Sequence, residues 1–221
     1  MAEFKLHCFA QSGNAYKAAL TLCLVGADWA PIYVDYFAGA GRADDWRNSV
    51  NEMGEVPALE HRGKLLTQSG VILDYLAELF RRFGPRNAEE RREIWRWILF
   101  DNHKFTSYFA TYRWLRSFAQ EASSPDVLAF LRGRIDGAFG IVEKHLQNRS
   151  YVLGDRLTIA DLSMVGYLYF PTEETGYDLP TSHPNIAAWA KRVMSEAGWR
   201  GPYEIMPGKR LQPLRTYPAG Y

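Results

Sequence analysis

Three short segments hold side chains whose types and spacing suit the capture of a small anionic or peptide-like ligand. In Ala10–Lys17, AQSGNAYK, residues Ser12, Gly13 and Asn14 form a turn between a strand-like run and a helical run. A hydroxyl at a helix N-terminus caps the helix, and it can also face outward and donate to an anion. In Met53–Leu59, MGEVPAL, the pair Val56-Pro57 precedes a β-rich run, with Glu55 beside it. Proline has no N–H for a ladder, so it suits the first residue of a strand or an edge. A trans bond makes this an ordinary strand start, whereas a cis bond aims the Val56 backbone outward toward an extended peptide. In Thr67–Gly70, TQSG, Ser69 reads as the N-cap of a helix. That role leaves room for binding, because the free N–H groups and positive dipole end suit a carboxylate, with the Gln68 amide alongside.

Other reactive groups read more plainly. Only Cys8 and Cys23 occur, with no CxxC and no metal-ligand spacing, so neither a disulfide framework nor a metal is expected. Cys8 alternates onto the face of Phe4 and Leu6 and reads as core; Cys23 reads as buried on the first helix. Lys17, on a first helical turn, is either a solvated cation or a carboxylate contact.

The elements that must position these residues fall into two textures. Glu3–Phe9 alternates as a strand, Asn14–Val25 carries a helical apolar stripe ended by Gly26, and Pro31–Tyr36 is β-rich, together a βαβ unit. After a Gly/Ala-rich loop, runs at Pro57–Glu60 and Lys64–Thr67 flank the turn Arg62-Gly63. Ser69–Phe83 then reads as an amphipathic helix. Past the breaker Gly84–Asn87 the chain turns helical, over Ala88–Ala119, Asp126–Gln147, Ile159–Phe170 and Asn185–Ala197. The expectation is an α/β domain over 1–83 and an all-α helical domain over 88–221, whose Pro/Gly-rich tail from Gly198 is extended on the surface.

Bulk properties narrow the partners. The 221 residues carry a formal charge of +1, with no basic footprint for nucleic acid. No run approaches the roughly 18 apolar residues of a membrane span, and no signal peptide is evident. The expectation is a cytoplasmic protein with a small-molecule partner, no nucleic acid and no membrane.

Ser-Gly-Asn-Ala-Tyr-Lys after the first strand, Glu-Val-Pro before the third and Gln-Ser opening the last helix of the α/β domain together resemble the cytosolic glutathione transferase family. Gly154–Asp161, GDRLTIAD, resembles its G-x-x-x-T-x-A-D signature, in which Thr158 and Asp161 form a capping box. The resemblance implies a thioredoxin-like N-terminal domain that binds glutathione as co-substrate and an all-helical domain that takes a hydrophobic electrophile or a disulfide.

It also implies roles. Val56 pairs its backbone with the cysteinyl part of glutathione, Pro57 is cis, and Gln68 and Ser69 hold the γ-glutamyl end, with Glu55 and Lys17 as further contacts. Ser12 donates to the thiolate and Asn14 is a second donor, since Ser-x-Asn resembles the Thr-x-Asn of a bacterial and fungal branch that also reduces glutathione disulfides. Phe9, Tyr108 and Tyr112 line the acceptor pocket. His103, with Asp101 and Asn102, reaches the glutathione of a partner in a homodimer, or is a packing residue. The implied activity is a detoxifying transferase. The rivals are a glutathione-dependent disulfide reductase and a non-catalytic interaction module of the same fold.

Overall fold

A computed structural model describes residues 2–215 and Tyr217. The chain divides into two compact units, one made of the chain up to Gly84 with Glu196–Arg210, the other of Pro85–Ser195 with the chain from Leu211 onward.

The first unit is built on a sheet in the order β2-β1-β3-β4, from β1 (Phe4–Cys8), β2 (Trp29–Tyr33), β3 (Ala58–His61) and β4 (Lys64–Thr67). β1 pairs parallel with β2 and antiparallel with β3, which pairs antiparallel with β4. The alternation of β1 buries Phe4, Leu6 and Cys8 completely or nearly so, under the helices α1 (Gly13–Val25) and α3 (Ser69–Phe80). This is a thioredoxin-like arrangement. The β3–β4 turn falls on Arg62-Gly63 as expected, with φ of 48° and 77°, the handedness that a two-residue hairpin requires.

Two local readings shift. β2 begins earlier than the run PIYVDY suggested, because the parallel register sets Trp29 opposite Phe4 and Pro31 opposite Leu6. The Gly/Ala-rich loop contains a 3-10 turn, Ala40–Arg42, and a short helix, α2 (Asp44–Ser49).

A larger correction concerns the tail, assigned above to the helical domain as an extended surface segment. Its part up to Arg210 belongs, within the segment Glu196–Arg210, to the α/β unit and contains a helical turn, α11 (Pro202–Ile205), packed on α1 with Pro202, Ile205 and Met206 buried. The tail reading for Thr216 and 218–221 lies outside the described residues.

In the second unit the long helical run divides. α4 (Ala88–Phe100) passes through a π-turn, Asp101–Phe105, into α5 (Thr106–Ser117). α6 (Pro125–Leu146) packs on α5 and on α10 (Pro184–Met194). The run from Ile159 is α-helical to Met164 (α7) and continues as a 3-10 turn over Val165–Tyr167, followed by the short turns α8 (Thr172–Thr175) and α9 (Leu179–Ser182). The capping box is in place at α7. The buried Asp161 carboxylate accepts from the Thr158 N–H at 2.8 Å and the Thr158 hydroxyl at 2.9 Å, and also from the Val152 N–H at 2.8 Å and the Trp189 Nε1–H at 3.0 Å. No helix among the described residues is long and apolar enough to cross a membrane.

Candidate functional site

The register of the sheet brings the three segments to one end. β1 stops at Cys8 and leads into the Ser12 turn, while Ala58 at the start of β3 lies opposite both His7 and Thr67. Pro57 and Gln68 therefore follow side by side at the edge where β1 finishes. Their neighbours meet directly: the Gln68 amide donates to the Glu55 carboxylate at 2.9 Å.

Each segment is held from within the unit. The Val56-Pro57 bond is cis, as the resemblance implied, and neither polar group of the Val56 backbone has a partner among the described residues. Asn51, 4% exposed, fixes the loop before it by donating to the Glu55 carbonyl at 2.9 Å and accepting from the Met53 N–H at 3.1 Å. Sequence reading missed Asn51, although Asn-x-x-Gly is a turn signature. Gln68 is the N-cap residue of α3 with φ at +65°, which moves Ser69 into the first helical turn, where it makes no capping hydrogen bond. The expectation that Ser69 caps α3 is thereby corrected, and its buried hydroxyl is not spent on the cap. A non-glycine residue at positive φ costs of order 1–3 kcal/mol and clusters at ligand sites.

At the first turn Ser12 is 5% exposed and caps α1, its Oγ accepting from the Ala15 N–H at 3.1 Å. Accepting there leaves the hydroxyl proton free to donate elsewhere. The Asn14 Oδ1 is buried with no hydrogen-bond partner. Neither α1 nor α3 has an acidic residue in its own first turn, so two positive helix ends lie at the same end of the sheet, with the Glu55 carboxylate beside the N-cap of α3. An anion is the ligand that this field favours.

The remaining candidates separate. Lys17 is 0% exposed, not a solvated cation. Cys8 is fully buried, donates from Sγ to the Leu6 carbonyl at 3.2 Å, and is pushed up to about 12 by burial, so it is no thiolate. Cys23 is half-buried, not fully buried, and burial raises it too. Phe9, 7% exposed, stacks on Tyr36 at 5.0 Å and meets Phe37 edge-on at 5.1 Å, so Tyr36 presents the surface of that cluster.

In the second unit Tyr112 is 0% exposed, its ring edge-on to Tyr177, so it belongs to the helical core and offers no wall to a pocket. Tyr108 is half-buried, under Arg134. Asp101 is an internal strut that accepts from the Thr106 and Ser163 hydroxyls. His103 and Asn102 are exposed on the π-turn. No cluster of metal-ligating side chains occurs among the described residues.

Two family models match this chain, "Glutathione S-transferase, N-terminal domain" over residues 2–78 and "Glutathione S-transferase, C-terminal domain" over residues 105–197. A crystal structure of a possible glutathione S-transferase from Rhodopseudomonas palustris superposes with TM-score 0.78 at 30% identity, covering 91% of this chain and 98% of that one. The chain belongs to the glutathione S-transferase family. Among its relatives, a glutathione S-transferase from Pseudomonas fluorescens aligns with TM-score 0.80 at 27% identity, over 91% of this chain and 99% of that one. Glutathione S-transferase F14 of Arabidopsis thaliana is 26% identical over 90% of this chain and 82% of its own length. In family terms, the segments gathered at the end of the sheet lie within the N-terminal match, and the capping box at α7 lies within the C-terminal one.

Proposed function

We propose that this protein is a glutathione transferase that binds glutathione at the carboxyl end of β1 and activates its thiol for attack on an electrophilic small molecule. The observation that carries this reading is the convergence of Ser12, Val56 and Ser69 where two helix N-termini meet the end of the sheet. An extended tripeptide finds there a backbone N–H and C=O at Val56, a buried hydroxyl at Ser69, and a donor for sulfur at Ser12. Glutathione's α-ammonium group needs a carboxylate, which Gln68 lacks but Glu55, bonded to it, supplies. Asn14 is the second donor; when its amide turns over, the same place presents N–H instead of C=O. The protein is further proposed to act as a symmetric homodimer, the commonest assembly. Light scattering that gives the mass of one chain would remove that proposal.

Glutathione at millimolar concentration is expected to raise the melting temperature, because a ligand selective for the native state stabilises it by RT ln(1 + [L]/Kd). Glu55→Gln is expected to weaken the rise, with Kd increasing about tenfold, the scale of one lost charge-assisted hydrogen bond. An unshifted wild-type melting point would instead favour a non-catalytic module. Ser12 with Asn14 also supports a second reading, reduction of glutathione disulfides, and parallel assays with an aryl halide and a glutathione disulfide separate the two.

A further inference from the structure

The segment Glu196–Arg210 runs back along α1 from its end to its beginning. Gly198 (φ +92°) lies against the Cys23 carbonyl, which an added Cβ would meet at 2.9 Å. The Arg200 carbonyl accepts from the Tyr16 hydroxyl at 2.8 Å, and the Lys209 carbonyl accepts from the Gln11 Nε2 at 2.7 Å. Between these last two points Gly208 (φ +99°) presses on the Tyr33 ring, where a Cβ would stand 2.7 Å from a ring carbon. The contacts step from Cys23 to Tyr16 to Gln11, so the strap meets the α/β unit last at the residue directly before Ser12. Gln11 itself is 7% exposed.

A buried amide that donates to a backbone carbonyl 198 residues away does more than shape its own turn. We propose that Gln11 is a positioning residue: its amide pins the C-terminal strap to the Ser12 turn, and the pinned edge Gly208–Arg210 walls the acceptor side of the thiolate. The proposal rests on the reading of the Ser12 turn as the thiolate site. Glutathione itself lies toward Val56 and Ser69 and does not depend on the strap. Losing the Gln11 bond should therefore alter acceptor binding while sparing glutathione binding and the acidity of its thiol.

The test uses the full chain in three forms besides wild type: Gln11→Ala, Gln11→Glu and Gly208→Ala. Glu keeps the size of Gln but has no N–H to donate, and Ala at 208 displaces the strap through the Tyr33 clash without touching the turn. Trypsin cleavage after Lys209 or Arg210, both exposed, reports how often the strap opens. All three variants are expected to be cut about tenfold faster and to show an acceptor KM raised about five- to tenfold, the scale of one net hydrogen bond. The glutathione Kd and the thiolate titration midpoint should not move. Combining Gln11→Ala with Gly208→Ala should add little to either single change, because both release the same strap. Unchanged cleavage, wild-type behaviour of Gln11→Glu, or faster cleavage with unchanged KM overturns the proposal. If the wild type binds no glutathione, the functional reading fails separately, and the positioning role falls with it whatever the cleavage rates show.

Discussion

Ser12→Ala is expected to bind glutathione nearly as well as wild type while holding a less acidic thiol. The bonds proposed at Val56, Gln68 and Ser69 remain, so the ligand stays; only the donor that prefers the charged sulfur is gone. The sign follows from linkage. A donor favouring the thiolate lowers the thiol pKa, so its removal raises it. A hydrogen bond to a charged group is worth about 1.5 to 3 kcal/mol, which corresponds to a rise on the order of one to two pH units. Turnover at neutral pH should fall about tenfold or more and recover in part as pH climbs toward the new midpoint. The Ser12 Oγ also accepts from the Ala15 N–H, so the same change uncaps α1 and should cost about 1 kcal/mol of stability. Ultraviolet thiolate absorbance of the complex against pH measures the shift separately from the melting curve. A midpoint identical to wild type would transfer the donor role to Asn14, and the Ser12→Ala, Asn14→Ala double variant would then carry the whole effect.

The largest expected loss of stability is at Asp161. Its carboxylate is fully buried and takes four donors: two from Thr158, one from the Val152 backbone and one from the Trp189 indole. Asp161→Ala leaves all four facing a cavity. Each buried unsatisfied group costs about 1–3 kcal/mol before relaxation, and breaking such a network costs about 3–5 kcal/mol. At roughly 2–4 °C per kcal/mol for a chain of this size, the melting temperature should drop by about 6–20 °C. Asp161→Asn keeps one acceptor oxygen and should lose less. Urea unfolding that placed Asp161→Ala within about 1 kcal/mol of wild type would show that Val152, Thr158 and Trp189 find other partners.

Local chemistry was legible wherever a side chain's partner lies within a few residues. The alternation of Phe4, Leu6 and Cys8, the stripe that ends at Gly26 and the Thr158–Asp161 box are short-range patterns, and the structure contains each. Ser69 shows where that range ends. A serine at a strand-to-helix junction reads as a cap, yet Gln68 caps the helix with a left-handed φ, because the chain leaving β4 opposite Ala58 must turn sharply.

By itself the sequence determined the two textures, the small sheet under helices and the helical bundle after it, because hydrophobic periodicity is a local property of the chain. It also held, in order, the motifs that resemble the glutathione transferases. Tertiary structure alone decided which faces lose their solvent. Lys17 sits on an ordinary first turn, yet packing within the unit leaves it 0% exposed. Tyr112 has the polar handle of a pocket residue until Tyr177 packs against it. Glu55 becomes the carboxylate beside Gln68, and Gln11 becomes the anchor of the strap, only through partners 13 and 198 residues away. Burial and pairing at such separations follow from how the elements pack, and no window of neighbouring residues contains that information.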